Sequence, residues 1–318
     1  MAQRVYVLTG ATSGMGLRIA RRLARRTGAL MIAGARNPDK ATALKAAAPA
    51  AQLVILPLDL ARLASTAAFA AAVKQRLSAE GRLAGIICNA GLQILGPSRL
   101  TEDGVDESFA TNHLGHFALV EALMDRLADG AVVVTTGSGT HNPDEKLAKM
   151  FGFRGADFPD AASVALGKTS KAGDDKQLGM DRYATGKLCD ILYAYDMASR
   201  APEARVRFFC FDPGLMPGTG LARDRSAVER FAWRFVMPVL GWFLPGVSSP
   251  ARSARAMVDK LLMSPSAYPS GSYVEYTGRL ARLSALARRT DLAQDLHDVS
   301  ERIVESRMRA IAGGGPKA

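Results

Sequence analysis

The sequence predicts a doubly wound α/β domain built on a parallel sheet. Three observations carry that expectation. The chain opens with a strand, a glycine-rich turn and a helix in immediate succession. Segments with strand preference then alternate with segments of helical periodicity. The polar signatures stand at the carboxyl ends of strands, where doubly wound sheets bind their ligands.

The first strand is Val5-Tyr6-Val7-Leu8, and it runs into Thr9-Gly10-Ala11-Thr12-Ser13-Gly14-Met15-Gly16. From Leu17 to Thr27 the apolar stripe Ile19, Ala20, Leu23 and Ala24 has helical spacing. Glycines let backbone approach a pyrophosphate, and a helix N-terminus offers it free N–H groups and partial positive charge. The second strand, Leu30 to Gly34, leads to Ala35-Arg36-Asn37-Pro38. A carboxylate at this strand end would bind the ribose hydroxyls of an unphosphorylated dinucleotide. Arg36 instead suits a 2′-phosphate, so the expected cofactor is NADP(H), with Lys40 adding charge.

A third strand spans Leu53 to Leu60. Asp59 at its tip is placed to accept from the adenine amino group, to cap the Ala-rich helix expected from Ala61 to Leu77, or to do both. The fourth strand, Gly85 to Cys88, ends in the sharp turn Asn89-Ala90-Gly91. A long helix is expected from Val105 to Leu127, with Asn112 in a largely apolar stretch where an unpartnered amide would cost several kcal/mol. Asn112 therefore has partners: backbone carbonyls, water or active-site groups. His113 and His116 share a face but have no third ligand in view, so they read as structural histidines and no metal is expected.

The fifth strand, Ala131 to Thr136, delivers Gly137-Ser138-Gly139 to the same edge. Residues 139–182 read as an irregular inserted loop, of the kind that forms active-site lids. The next helix is expected to open at Tyr183. Lys187, four residues on, lies on the same helical face, where an ammonium favours the phenolate and suits Tyr183 to general acid/base work. The sixth strand, Val206 to Phe211, ends in Asp212-Pro213-Gly214. Residues 215–246 are apolar and aromatic but interrupted by Arg234, Pro238 and Pro245, too short a run to span a bilayer. They read as a lid over a hydrophobic substrate or as core, with peripheral membrane contact through 231–245 as a further reading. A helix from Ser249 to Leu262, a strand from Gly271 to Tyr276, a helix from Asp291 to Ile311 and a frayed tail over 313–318 complete the chain.

The 318 residues form one domain in this reading, since no linker or repeat divides them. The net charge of +11 has no aromatic-interleaved basic patch behind it, so nucleic acid is not an expected partner. Three cysteines at unrelated spacings fit a reducing cytoplasm, and the first strand begins too early to leave room for a signal peptide.

Taken jointly, Thr9 to Gly16, Asn89-Ala90-Gly91, Asn112, Ser138, Tyr183 with Lys187, and Pro213-Gly214 resemble the short-chain dehydrogenase/reductase family, in the family's order. The resemblance implies a Rossmann fold over residues 1–318 and an NADP(H)-dependent oxidoreductase. Tyr183 is then the acid or base at the reacting oxygen and Ser138 hydrogen-bonds that oxygen. Lys187 holds the nicotinamide ribose, and Asn112 orders a relay water. Implied cofactor contacts are Thr9, Gly10, Thr12, Ser13, Gly14, Met15, Gly16, Arg36, Asp59, Leu60, Asn89, Ala90, Gly91, Tyr183, Lys187, Pro213, Gly214 and Thr219. Asn112 to Phe117, the 45-residue interval from Ser138 to Tyr183, and Pro213 to Leu221 are similar to the retinol dehydrogenases and light-dependent protochlorophyllide oxidoreductases. Cys189 falls where the latter carry a cysteine near the pigment, which makes it a candidate pocket residue. The expected reaction is hydride transfer at a carbonyl or hydroxyl of a bulky hydrophobic molecule, by a monomer or homodimer. Light-driven C=C reduction and a non-catalytic NADP(H) sensor are the alternatives.

Overall fold

A computed structural model describes residues 3–216 and 246–313. Seven parallel strands form one sheet in the order β3-β2-β1-β4-β5-β6-β7. They are β1 Val5–Leu8, β2 Leu30–Ala35, β3 Leu53–Pro57, β4 Leu83–Cys88, β5 Leu127–Thr136, β6 Val206–Asp212 and β7 Tyr273–Glu275. The order reverses between β1 and β4, which opens a crevice at their carboxyl ends. Strands buried on both faces carry few polar residues inside, and Val7, Leu8, Ile32, Ile86, Val133 and Phe208 have no exposed surface.

Helix α1, Gly14–Thr27, buries Met15, Gly16, Ile19, Ala20, Leu23 and Ala24 on one face of the sheet. It stops at Gly28, whose φ of 62° lets its N–H reach back to the Ala24 carbonyl. Helix α2, Leu63–Arg76, covers the other face. It begins four residues beyond Asp59, so Asp59 is not its cap. The first-turn N–H of Leu63 is held instead by Asp103 Oδ2 at 2.8 Å. The Asp59 carboxylate accepts from its neighbour Ala61 N–H at 3.2 Å.

The long helix expected after Val105 is composite and shorter. In α3, Glu107–Phe109 and Gly115–Leu123 are α-helical, and a π-turn, Ala110–Leu114, joins them. A final 3₁₀ turn, Met124–Arg126, leads straight into β5. Helix α4, Asp175–Arg200, opens eight residues earlier than Tyr183, capped by Asp174 on the Gln177 N–H. Tyr183 therefore sits well inside a rigid helix, and residues 175–182 belong to that helix, not to the loop.

The rest of the insertion is also ordered. It contains two short helices, Lys146–Met150 and Ala161–Ala165, and is tied to α4 through Arg154–Asp181 and through Thr185, which donates to the Asp157 carbonyl at 3.0 Å. Pro250–Ala256 forms α5, extended by a π-turn over Met257–Leu262, and packs on α1. Terminal helix α6, Thr290–Gly313, lies on α4. It buries Leu292, Ala293, Leu296, His297, Val299 and Ser300, with Ser300 Oγ 2.9 Å from His113 Nε2. Arg307 of α6 reaches the second oxygen of Asp103 at 2.6 Å. Among the described residues no helix is long and apolar enough to cross a membrane. The expectations for Thr219, the 231–245 contact and most of the 215–246 lid fall outside the described residues, as does the tail beyond Gly313.

Candidate active site

The crevice is framed by two strand-end turns that hold each other. Asn89 Nδ2 donates to the carbonyls of Thr9 and Gly10, both at 3.1 Å. In return Thr9 Oγ1 accepts from the N–H groups of Asn89 and Ala90, both at 3.0 Å. The proton of Thr9 goes to His116 Nε2 at 2.9 Å, since the other nitrogen of that ring must donate to the Asn112 carbonyl at 3.1 Å. Burial holds His116 neutral by lowering its pKa to about 4. Thr9 is wholly buried and its hydroxyl fully used. It supports the turn from behind, and its hydroxyl is turned to protein partners. Met15 likewise points into the core, leaving only its backbone for a ligand.

The turn fits a dinucleotide pyrophosphate. Gly10 and Gly14 have φ of 64° and 55°, and a Cβ at Gly16 would lie 2.2 Å from the Gly10 carbonyl oxygen. Only glycine allows this closeness. Ser13 is the N-cap of α1 but makes no side-chain cap, and the first turn holds no acid. Its N–H groups are thus left for an anion. Thr12, Ser13 and Arg36 are exposed around this turn.

Across the crevice, α3 and α4 bring three expected residues together. Asn112 is buried and bridges to one residue of the β4 loop: its Oδ1 accepts from Leu92 N–H at 2.8 Å, and its Nδ2 donates to the Leu92 carbonyl at 2.9 Å. Asn112 sits in the π-turn of α3. A Cβ on Gly91 would stand 3.2 Å from Asn112 Oδ1 and 3.5 Å from Lys187 Nζ, so that glycine brings the turn against both. Lys187 Nζ lies 5.8 Å from the Tyr183 ring centre. It donates to the Thr136 carbonyl at 2.7 Å and to Asp190 Oδ2 at 2.9 Å. The Phe153 ring from the insertion packs 6.1 Å from the Tyr183 ring.

The electrostatics differ from the sequence expectation. Burial pushes the Tyr183 phenol up, and Lys187 offsets only part of that, with Asp190 and Asp212 adding to the rise. Burial works against the Lys187 ammonium, but Asp190 and Tyr183 beside it raise its pKa overall.

Ser138 caps the turn after β5, its Oγ accepting from Thr140 N–H at 3.3 Å. Its carbonyl is gripped by His141 Nδ1 at 2.7 Å, and Ser284 N–H donates to the far side of that ring at 3.3 Å. Pro213 and Gly214 close the β6 edge, with Gly214 N–H on Asp212 Oδ1 at 2.9 Å. Cys189, two positions after Lys187, is turned to the opposite side of α4 and lies fully buried in the apolar cluster with Leu188, Ile191 and Leu192. Sequence reasoning missed Asp190, His141 and Asp103. Asp190 had a local signal, an acid three residues from Lys187 on one helix.

A strand-end crevice with a phosphate-binding turn on one side and a tyrosine–lysine pair on the other defines a dinucleotide-dependent oxidoreductase. The short chain dehydrogenase model matches residues 4–148. Polyprenol dehydrogenase of Mus musculus is 33% identical over 268 residues, covering 80% of this chain and 70% of its own. Protochlorophyllide reductase A of Triticum aestivum is 29% identical over 326 residues, covering 96% and 81%. An uncharacterised protein of Mycobacterium paratuberculosis, known by crystal structure, superposes with a TM-score of 0.64 at 27% identity, covering 96% of this chain and 94% of that one. The chain belongs to the short-chain dehydrogenase family, and its cofactor is a nicotinamide dinucleotide.

Proposed function

We propose that this protein is an NADP(H)-dependent oxidoreductase acting on a carbonyl or hydroxyl of a bulky, apolar molecule, as a soluble or peripherally membrane-associated monomer or homodimer. The observation that carries the reading is the Tyr183–Lys187 pair on α4, with Gly91 of the β4 turn close to both Lys187 Nζ and Asn112 Oδ1. The nicotinamide, when bound, supplies or accepts the hydride. Residues Gly10 to Gly16 hold its pyrophosphate through backbone N–H groups, and Arg36 meets a 2′-phosphate. Tyr183 gives its phenolic proton to the substrate oxygen, or takes it in the reverse direction, while Ser138 hydrogen-bonds that oxygen. Lys187 orients the ribose and Asn112 holds the β4 loop at the reacting face. The apolar run of 215–246 and the similarity to polyprenol dehydrogenase support a large hydrophobic substrate.

A screen of hydrophobic carbonyls and alcohols following NADPH absorbance tests this, with Tyr183→Phe as the control. Unchanged turnover in that variant would remove the catalytic assignment. The extent of the similarity to protochlorophyllide reductase keeps a second reading in play, light-driven C=C reduction. Mixing protein, NADPH and protochlorophyllide and recording spectra around a flash decides it. No spectral change would exclude the second reading.

A further inference from the structure

Behind Lys187, on the side away from the crevice, stands an acid that the reaction scheme above does not use. Asp190 is 2% exposed and accepts from Lys187 Nζ at 2.9 Å, one helical turn further along α4. Its position is fixed by β5: Thr135 Oγ1 donates to the Asp190 carbonyl at 2.9 Å. The next residue of that strand, Thr136, takes a second proton of the same ammonium at 2.7 Å. Two of the three Lys187 donors are therefore committed to this anchor, and the third is left for the crevice.

We infer that Asp190 is a positioning residue of the active site: it anchors Lys187 from behind and neutralises part of its charge, setting where the ammonium stands and how strongly it acts on Tyr183. This rests on the assignment of Tyr183 as the acid/base. A lone buried lysine beside Tyr183 would stabilise the phenolate strongly. A lysine already paired with a carboxylate presents a nearly neutral unit, so Tyr183 keeps its proton to higher pH.

The other titratable groups around the pair do not compete for this role. Cys88 from β4, Cys210 from β6 and Cys189 on α4 are buried thiols whose pKa values burial raises, so they stay uncharged. His116 from α3 is held neutral. Among the described residues Asp212, at the end of β6, is the other acid acting on Tyr183, and it is engaged by Gly214 N–H and the Tyr273 hydroxyl.

The test is Asp190→Asn, which keeps the side-chain shape and removes the charge. Two readings are made on wild type and variant. The first is the ultraviolet difference titration of tyrosinate, with Tyr183→Phe identifying the Tyr183 contribution. The second is the pH profile of turnover on any substrate accepted in the screen. Both should move toward acid by about one pH unit or more in the variant. The shift should fall on the alkaline limb in the reductive direction and the acid limb in the oxidative one. An unchanged Tyr183 titration and an unchanged profile would overturn the inference. If Asp190→Asn does not fold, Asp190→Ser serves, since water can fill the space. Retained activity in Tyr183→Phe would sink the acid/base reading alone, because the titration still reports whether Asp190 controls Tyr183.

Discussion

The two walls of the crevice are built on different principles. The wall of β1, β4 and α3 is closed by strand-end and helix residues that satisfy one another: Thr9 with Asn89, Asn112 with Leu92, and His116 between the two. The wall of β5, β6 and α4 is buttressed by residues from outside the sheet and its covering helices, Phe153 of the insertion on Tyr183 and Ser284 on His141. In the proposed reaction the first wall holds the cofactor. The second wall presents the proton donor of that proposal, and its surroundings come from the inserted segment and the last third of the chain. Damage to the first should register as affinity and stability, and damage to the second as turnover.

That division can be broken by experiment. Tyr183→Phe should lower kcat by about 10²–10⁴-fold while leaving NADPH binding by fluorescence unchanged; an equal loss of binding would erase the contrast. Thr9→Val strands two N–H groups and the His116 acceptor, and should destabilise the fold by about 1–3 kcal/mol in denaturant unfolding. A neutral result would show that the two turns do not depend on each other. Arg36→Ala should weaken NADPH binding roughly tenfold and leave NADH nearly unaffected. Equal losses for both would mean that Arg36 meets no 2′-phosphate.

The smallest effect is a pH dependence of stability. Burial lowers His113 to about 3 and both His116 and His141 to about 4, from an ordinary 6.5. Between these values the unfolded chain binds more protons than the folded one, so stability falls as pH drops from 6.5 toward 4. Asp190, Glu121 and Asp212, pushed up by burial, work the other way. The imidazoles are displaced farther from their ordinary value, so the net slope stays positive. A Tm that stays level or rises on acidification through this range would contradict it.

The sheet was readable in the sequence because buried parallel strands are apolar runs bounded by turn residues, and the glycine turn because its geometry excludes other residues. Tyr183 and Lys187 were readable for a similar reason, being four apart on one helix. The start of α4 was not, since Asp174 and Asp175 look like loop residues until one of them caps Gln177. The cap of α2 was misread for a related reason. Asp59 is near in sequence, but the acid that reaches the helix comes from Asp103, which no local pattern connects to it. A motif match does not register that Cys189, two residues past Lys187, lies on the opposite side of the helix in the apolar cluster.

Asp103 has one more consequence. Its two oxygens join the first turn of α2, near the start of the chain, to Arg307, near its end. Beneath α6 the rings of Phe117, Tyr193 and His113 also wait for Leu296, His297 and Ser300 to cover them. The closing contacts span about two hundred residues, so the loop they close is long and its entropy must be offset by the packing beneath α6. Helix α6 thus works as a clasp, and removing it is expected to loosen the core under it rather than trim a tail.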